Sequence, residues 1–132
     1  MSARIFLDSN IVLYALNGGE DKKSIALDLL EAHPFLSTQV LAEVSSVCLK
    51  KFKFLSPVVD QWLTLLTRSA EVRVISVQEI REALKIGARY HYSFYDSLII
   101  ASALEAKAEI LYTEDMHHGQ AIESLKIINP FF

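Results

Sequence analysis

The hydrophobic positions along the chain form short apolar runs separated by longer amphipathic segments. Runs of strand length stand at ARIFL (3–7), PFLS (34–37), VRVIS (72–76), EILYT (109–113) and LKIIN (125–129). The segments between them have the periodicity of helices. Strands that alternate with helices in a short chain favour an α/β three-layer sandwich, with a central, mostly parallel sheet of four to five strands. We therefore expect a single domain over residues 1–132, with a ligand site beyond the carboxyl ends of the strands.

Capping residues mark several helix boundaries. Gly18 and Gly19 are expected to end the helix that follows the first strand. Ser56 followed by Pro57 predicts an N-cap and a first helical position. Ser76 and Glu79 have the spacing of a capping box, in which a Ser and a Glu each accept a hydrogen bond from the other's backbone.

The most apolar helical segment carries a carboxylate near its start. In SFYDSLIIASALEAK (93–107), Asp96 projects about 40° from Ile100 and about 20° from Ala103 on a helical wheel. A carboxylate on a buried face needs a cation, hydrogen-bond donors or a proton. Ser93 and Asp96 also fit a capping box, so this segment alone leaves a structural and a functional role for Asp96 equally open.

Three further acids stand where a site at the sheet edge would need them. Asp8 directly follows the first strand, Asp115 follows the strand EILYT, and Glu43 borders the apolar stripe of its helix. Each has an ordinary alternative, as an N-cap, a loop acid and a boundary residue respectively. If all four acids converge, their repulsion raises their pKa values, and Mg²⁺ or Mn²⁺ would relieve it. The pattern favours a metal-dependent phosphoryl-transfer site.

Composition limits the class of protein. The chain has 132 residues, 52% of them hydrophobic, which excludes a disordered segment. Its single cysteine, Cys48, excludes an internal disulfide and is expected in the core. The early charged and polar residues do not fit a secretory signal, and no apolar run approaches the roughly 18 residues of a membrane span. We expect a cytoplasmic protein.

The net charge of −3 offers no general attraction for nucleic acid, so any such binding must rest on a local patch. Arg81, Lys85 and Arg89 recur every four residues on one helical face that leads toward Asp96, and they are candidate RNA-binding residues. A solvated helix face is the ordinary alternative. The stretch KKFKF (50–54) could combine stacking with phosphate contacts, although a helix end with inward-packed phenylalanines is favoured.

Four motifs together resemble the PIN domain of VapC-type toxin ribonucleases: IFLDSNIVLYAL (5–16), STQVLAEV (37–44), YDSLIIASAL (95–104) and ILYTEDMHHG (110–119). The resemblance covers nearly the whole chain in order and spacing. It implies a PIN-like fold and an endoribonuclease that hydrolyses RNA with Mg²⁺ or Mn²⁺. The implied catalytic residues and metal ligands are the same four acids: Asp8, Glu43, Asp96 and Asp115.

The matching motifs also contain residues that could support the four acids. Asn10 and Thr113 match supporting positions of the family. Glu114 is an additional acid of the fourth motif, and a solvated loop role is favoured for it.

The resemblance further implies partners: a second copy in a homodimer, and a small antitoxin protein that blocks the site. Four residues are candidates for a partner surface, with a core position favoured for each: Leu16, Trp62, Leu65 and Leu66. Alternatives are a PIN nuclease of RNA maturation and a non-catalytic PIN-like interaction domain. A phospho-accepting signalling module is disfavoured, because FLDSN holds one acid where that class needs a pair and LYTEDM lacks its lysine.

Overall fold

The computed structural model describes residues 3–132, which form one six-stranded sheet with helices on both of its faces. The strands are β1 (Ile5–Leu7), β2 (Phe35–Ser37), β3 (Glu71–Arg73), β4 (Ile110–Tyr112), β5 (Ala121–Ile122) and β6 (Leu125–Ile128). The helices are α1 (Ser9–Asn17), α2 (Glu20–Glu31), α3 (Thr38–Lys50), α4 (Ser56–Ser69), α5 (Val77–Tyr90) and α6 (Phe94–Glu105). The α/β fold class expected from the sequence is confirmed.

The strand order explains where a ligand would bind. The sheet runs β3-β2-β1-β4-β6-β5, and every neighbouring pair is parallel except β5 with β6. From β1 the chain winds outward through β2 and β3, and then returns to the other side of β1 to form β4. The direction of winding therefore reverses between β1 and β4. In open parallel sheets, ligands bind at such a reversal, beyond the carboxyl ends of the two strands.

The core lies on both sides of the central strand. Phe6, Leu111 and Ile127 stand in register across β1, β4 and β6, and each is fully buried. Ile5 and Leu7 point to the opposite face of β1 and are buried as well. A strand that is buried on both faces needs helices on both faces, which is the layering that parallel sheets require.

Helix α6 is the most enclosed helix, since every residue from Ser97 to Ala103 is buried. It packs closely against α5, where a Cβ atom on Gly87 would lie only 3.2 Å from the Ser97 hydroxyl oxygen. The lone Cys48 is also fully buried, as the sequence predicted. Phe52 and Phe54 pack against the core, which confirms the favoured interpretation of KKFKF.

Two local predictions are wrong. The N-cap of α4 is Leu55 rather than Ser56, because the Leu55 carbonyl already accepts hydrogen bonds from the Val58 and Val59 amides. The sheet has six strands rather than four to five, since the two-residue strand β5 returns antiparallel to β6. The turn between β5 and β6 contains Glu123 at φ 54°, where no glycine marks a turn in the sequence.

Two of the four candidate partner residues, Leu16 and Leu66, are buried core residues as favoured. Trp62 is half-buried, and Leu65 is 50% exposed, so the core assignment of Leu65 is wrong. Within residues 3–132, every helix is too short or too polar to cross a membrane.

Candidate active site

Asp8 lies at the carboxyl end of β1 and is 4% exposed. Its Oδ1 accepts a 2.7 Å hydrogen bond from the Ser9 amide, so Asp8 is indeed the N-cap of α1. Its Oδ2 accepts a 2.8 Å bond from the Thr113 hydroxyl, just beyond β4. The capping role and a place in the strand-end site therefore coexist in one residue.

The electrostatic environment of Asp8 opposes its charge. Burial is the largest effect and raises its pKa from the usual 3.8 to about 6, although the hydrogen bonds from Thr113 and Ser9 act against it. The negative charges of Glu43 and Asp96 raise the pKa further. The negative charges of two other predicted acids, Glu43 on α3 and Asp96 on α6, therefore act on the Asp8 carboxylate.

Ser93 is the N-cap of α6, and Asp96 takes part in the cap only through its backbone amide. The Asp96 amide donates to the Ser93 hydroxyl oxygen at 3.2 Å, but among residues 3–132 no bond returns from the Ser93 amide to the Asp96 carboxylate. In α5, by contrast, both bonds form, and Glu79 accepts from the Ser76 amide at 2.8 Å. The capping role therefore leaves the Asp96 carboxylate available for another function.

The surroundings of Asp96 are those of a shared acidic site. Burial raises its pKa most, the Ser93 hydroxyl lowers it, and the charges of Asp115 and Glu43 raise it again. Asp8 and Asp96 each interact with Glu43, and Asp96 also interacts with Asp115. The structure thus brings the four predicted acids into one electrostatically coupled cluster.

Gln39 links Glu43 to the start of α6, and the sequence analysis did not identify it. Its side-chain amide donates to the Glu43 carboxylate at 3.3 Å and to the Tyr95 carbonyl at 3.1 Å. This holds the acid of α3 against the residue that precedes Asp96. The position of Gln39 four residues before Glu43 was the only signal in the sequence, because helical neighbours at this spacing share a face.

Asn10 and Thr113 connect the two strand-end acids. The Asn10 side-chain amide donates to Asp115 Oδ2 at 3.0 Å, to Thr113 Oγ1 at 3.3 Å and to Asp8 Oδ2 at 3.5 Å. Thr113 is fully buried and also accepts from the Asp115 amide. The two neutral residues therefore orient carboxylates that belong to different strands.

The cluster has no cation of its own in the described part of the chain. The salt bridges there join Lys22 to Glu114 and Lys85 to Glu82, and neither includes a member of the cluster. As the side chains stand, no three or more His, Cys, Asp or Glu residues within 3–132 enclose a point where a metal ion could sit. The fit to a hard divalent cation is thus one of donor chemistry, with oxygen atoms only and unneutralised charge, rather than of a closed cage.

Glu114 belongs to a different group. It accepts hydrogen bonds of 2.5 Å from the Tyr14 hydroxyl and from the Lys22 ammonium, which also lies 4.6 Å from the Tyr14 ring centroid. Burial raises the pKa of Glu114, but the bonds from Lys22 and Tyr14 outweigh burial and lower it. Its negative charge is already neutralised, so it is neither a free loop acid nor available to a metal.

The three predicted RNA-binding residues, Arg81, Lys85 and Arg89, all lie exposed on α5. Lys85 is 3.4 Å from Glu82, and the Arg89 guanidinium lies 5.3 Å from the Tyr90 ring. Three residues separate the end of α5 from the start of α6, so Arg89 lies at the end of α5 that leads to Asp96.

The chain was compared with known protein families and with solved structures. The family model of the PIN domain matches residues 5–121. A search of curated proteins gave no significant match.

Several solved structures share the fold at low sequence identity. A toxin-antitoxin complex from Klebsiella pneumoniae is 23% identical, with a TM-score of 0.71 over 98% of both chains. VapC20 of Mycobacterium tuberculosis, described as a sarcin-ricin loop cleaving toxin, is 21% identical, with a TM-score of 0.68 over 84% of this chain and 89% of that one. VapBC2 of Rickettsia felis, bound to a promoter DNA fragment, is 21% identical, with a TM-score of 0.69 over 93% and 96%.

Proposed function

This chain belongs to the PIN domain family, and we propose that it is a divalent-metal-dependent endoribonuclease, the toxin of a cytoplasmic toxin-antitoxin pair. The observation that carries the proposal is the cluster of four acids at the carboxyl ends of β1 and β4, which has no cation partner in residues 3–132. Burial and the neighbouring negative charges raise the pKa values of Asp8 and Asp96, and a bound divalent cation would offset this cost. Similarity to a toxin described as cleaving the sarcin-ricin loop supports RNA as the substrate.

Two groups of residues in this chain would have separate roles in RNA cleavage. Asp8, Glu43, Asp96 and Asp115 would hold Mg²⁺ or Mn²⁺. When bound, such an ion activates water as a nucleophile and stabilises negative charge on phosphate oxygens. Arg81, Lys85 and Arg89 attract the RNA backbone toward the site, which compensates locally for the acidic net charge.

Asn10 and Thr113 act as positioning residues. The Thr113 hydroxyl fixes the Asp8 carboxylate, and the Asn10 amide joins Asp8 to Asp115. Donors that hold metal-binding carboxylates in place are typically worth 10- to 100-fold in affinity or activity. They are neutral, so they add no charge to be compensated.

The direct test of the proposal is RNA cleavage by the purified chain. We expect single-stranded RNA to be cut in the presence of Mn²⁺ or Mg²⁺, and cutting to stop when a chelator removes the ion and to resume when the ion is restored. Gel analysis of a labelled RNA measures both steps. Cleavage that continues in chelator would contradict a metal-dependent mechanism, and absence of cleavage with either metal would contradict a nuclease.

Two apolar surfaces support the proposed partners. A groove of about 250 Å³ between α2 and α4 is lined by Leu27, Leu30, Trp62 and Leu65, and we assign it to apolar side chains of an antitoxin. On α5, Val77, Ile80 and Leu84 are 68%, 40% and 62% exposed, at helical spacing. We assign this second surface to a homodimer. The structural neighbour described as a toxin-antitoxin complex supports an antitoxin as a partner of this chain.

Co-expression with the product of an adjacent small open reading frame tests the assembly. We expect that product to co-purify with this chain, and light scattering to give two copies of this chain, both alone and in the complex. A matched pair of variants separates the surfaces: Leu65→Glu should release the small protein but keep the dimer, and Leu84→Glu should do the reverse. A chain that is monomeric and has no partner would favour a role in RNA maturation instead.

A further inference from the structure

A large aromatic side chain stands exposed beside the acidic cluster. Tyr95 directly precedes Asp96 and is 63% exposed. Its ring meets the Phe94 ring edge-on at 5.3 Å between centroids, and its hydroxyl has no hydrogen-bond partner within residues 3–132. Neither burial nor a hydrogen bond of the hydroxyl therefore accounts for a tyrosine at this position.

The Tyr95 side chain forms one wall of a cavity. The cavity has a volume of about 320 Å³ and lies between α3 and the start of α6, lined by Gln39, Ala42, Glu43, Ser46 and Tyr95. Glu43 belongs both to this cavity and to the acidic cluster. A group bound against Tyr95 would therefore lie next to a phosphate bound to a cation at the four acids.

A hydrogen bond holds the backbone of Tyr95 in place, whereas the Tyr95 ring is largely exposed. Gln39 holds the Tyr95 carbonyl at 3.1 Å and the Glu43 carboxylate at 3.3 Å with the same amide. The distance between the ring's backbone and the acid of α3 is thereby constrained. A platform fixed in this way can position a flat ligand relative to the reacting phosphate.

We infer that this cavity binds a nucleobase of the RNA substrate, next to the cleaved phosphodiester, with the base stacked on Tyr95. The inference rests on the proposed function and deepens it. The chain has a net charge of −3, and its basic residues on α5 lie outside this cavity, so an uncharged contact here would add to their attraction for the RNA backbone. Stacking provides such a contact, because every base presents a π face.

Substitutions at Tyr95 combined with abasic RNA test the inference. The cleavage position is first mapped with the wild-type protein on a single-stranded RNA. The same RNA is then made with an abasic ribose on either side of the cleaved bond. Values of kcat/KM are measured for wild type, Tyr95→Phe, Tyr95→Ala and Tyr95→Leu. Tyr95→Phe is the matched control because it keeps the ring, and Tyr95→Leu keeps apolar bulk without a π face. Thermal denaturation checks that each variant is folded.

We expect Tyr95→Ala and Tyr95→Leu to lower kcat/KM on intact RNA by roughly 5- to 100-fold, the range for loss of one stacked base, and Tyr95→Phe to stay near wild type. On one of the two abasic RNAs, wild type should fall to the level of Tyr95→Ala, and the substitution should cause no further loss. Two changes that remove the same contact are not additive.

Two results would overturn the inference. Tyr95→Ala could cleave intact RNA as well as wild type, or it could lose the same factor on both abasic RNAs as on intact RNA. If the first result came with the loss of a co-purifying protein, Tyr95 would be a protein contact. In each case wild-type cleavage persists and the proposed function stands. A wild type that cleaves no RNA would instead contradict the proposed function itself.

Discussion

Replacing Asp96 with Asn is expected to lower metal-dependent RNA cleavage by at least about a thousandfold while leaving the fold intact. The substitution keeps the shape of the side chain and the hydrogen bond from the Asp96 amide to Ser93, but it removes a negative charge from the cluster. Several kcal/mol of transition-state stabilisation depend on a correctly held ion, and each 1.4 kcal/mol changes the rate about tenfold. Cleavage of labelled RNA and circular dichroism of the metal-free protein measure the two effects.

Glu79 supplies a matched control for this experiment. Glu79 and Asp96 hold the same position after a serine N-cap, but only Glu79 returns the hydrogen bond to its serine. Glu79→Gln should therefore keep cleavage near wild type and lower the free energy of unfolding by about 1 kcal/mol or less. If both substitutions reduced cleavage equally, or if Asp96→Asn kept wild-type cleavage, Asp96 would have no role beyond its helix.

Replacing Asp8 with Asn is expected to abolish cleavage and, at neutral pH, to stabilise the metal-free protein. Because burial and two neighbouring acids raise the Asp8 pKa to about 6, the ionised form destabilises the fold. The shift from 3.8 to about 6 corresponds to about 3 kcal/mol at most. An Asn side chain accepts through one oxygen only, so it keeps one of the hydrogen bonds from Ser9 and Thr113 and loses the other, which offsets part of the gain. We expect a net increase of about 1–2 kcal/mol in the free energy of unfolding near pH 7.

The size of this stabilisation depends on pH. A carboxylic acid with a raised folded-state pKa adds stability below its unfolded pKa of 3.8, and this contribution is lost as pH rises through about 6. The advantage of Asp8→Asn should therefore be small near pH 4 and grow to its full value above pH 6. Urea unfolding of both proteins in chelator, at several pH values, measures it. An Asp8→Asn protein that is less stable than wild type at pH 7, or that still cleaves RNA, would contradict the account.

The sequence predicted those structural features that depend only on residues close together in the chain. Gly18 ends α1, and Ser76 with Glu79 forms a full capping box, because both depend only on residues within one turn. The strand ends that carry Asp8 and Asp115 follow from the apolar runs before them. The ambiguity of Asp96 could not be resolved in this way, since a capping box and a half-formed one have the same sequence.

Features that depend on distant parts of the chain could not be read from the pattern. Gln39 contacts the Tyr95 carbonyl across 56 positions of sequence. Glu114 was expected to be a solvated loop acid, but Lys22 neutralises its charge and the Tyr14 hydroxyl donates a hydrogen bond to it, both from the other end of the chain. The exposure of Leu65 depends on how α4 lies over the sheet, which helical periodicity alone does not determine.

The central claim is that the four acids bind one kind of hard divalent cation together, and calorimetric titration with Mn²⁺ tests it most directly. The account predicts that the wild-type chain binds Mn²⁺, that Asp8→Asn and Asp96→Asn each weaken binding at least about tenfold, and that Glu79→Gln binds as wild type does. A wild-type chain without measurable Mn²⁺ binding, or an Asp96→Asn variant with unchanged affinity, would contradict it.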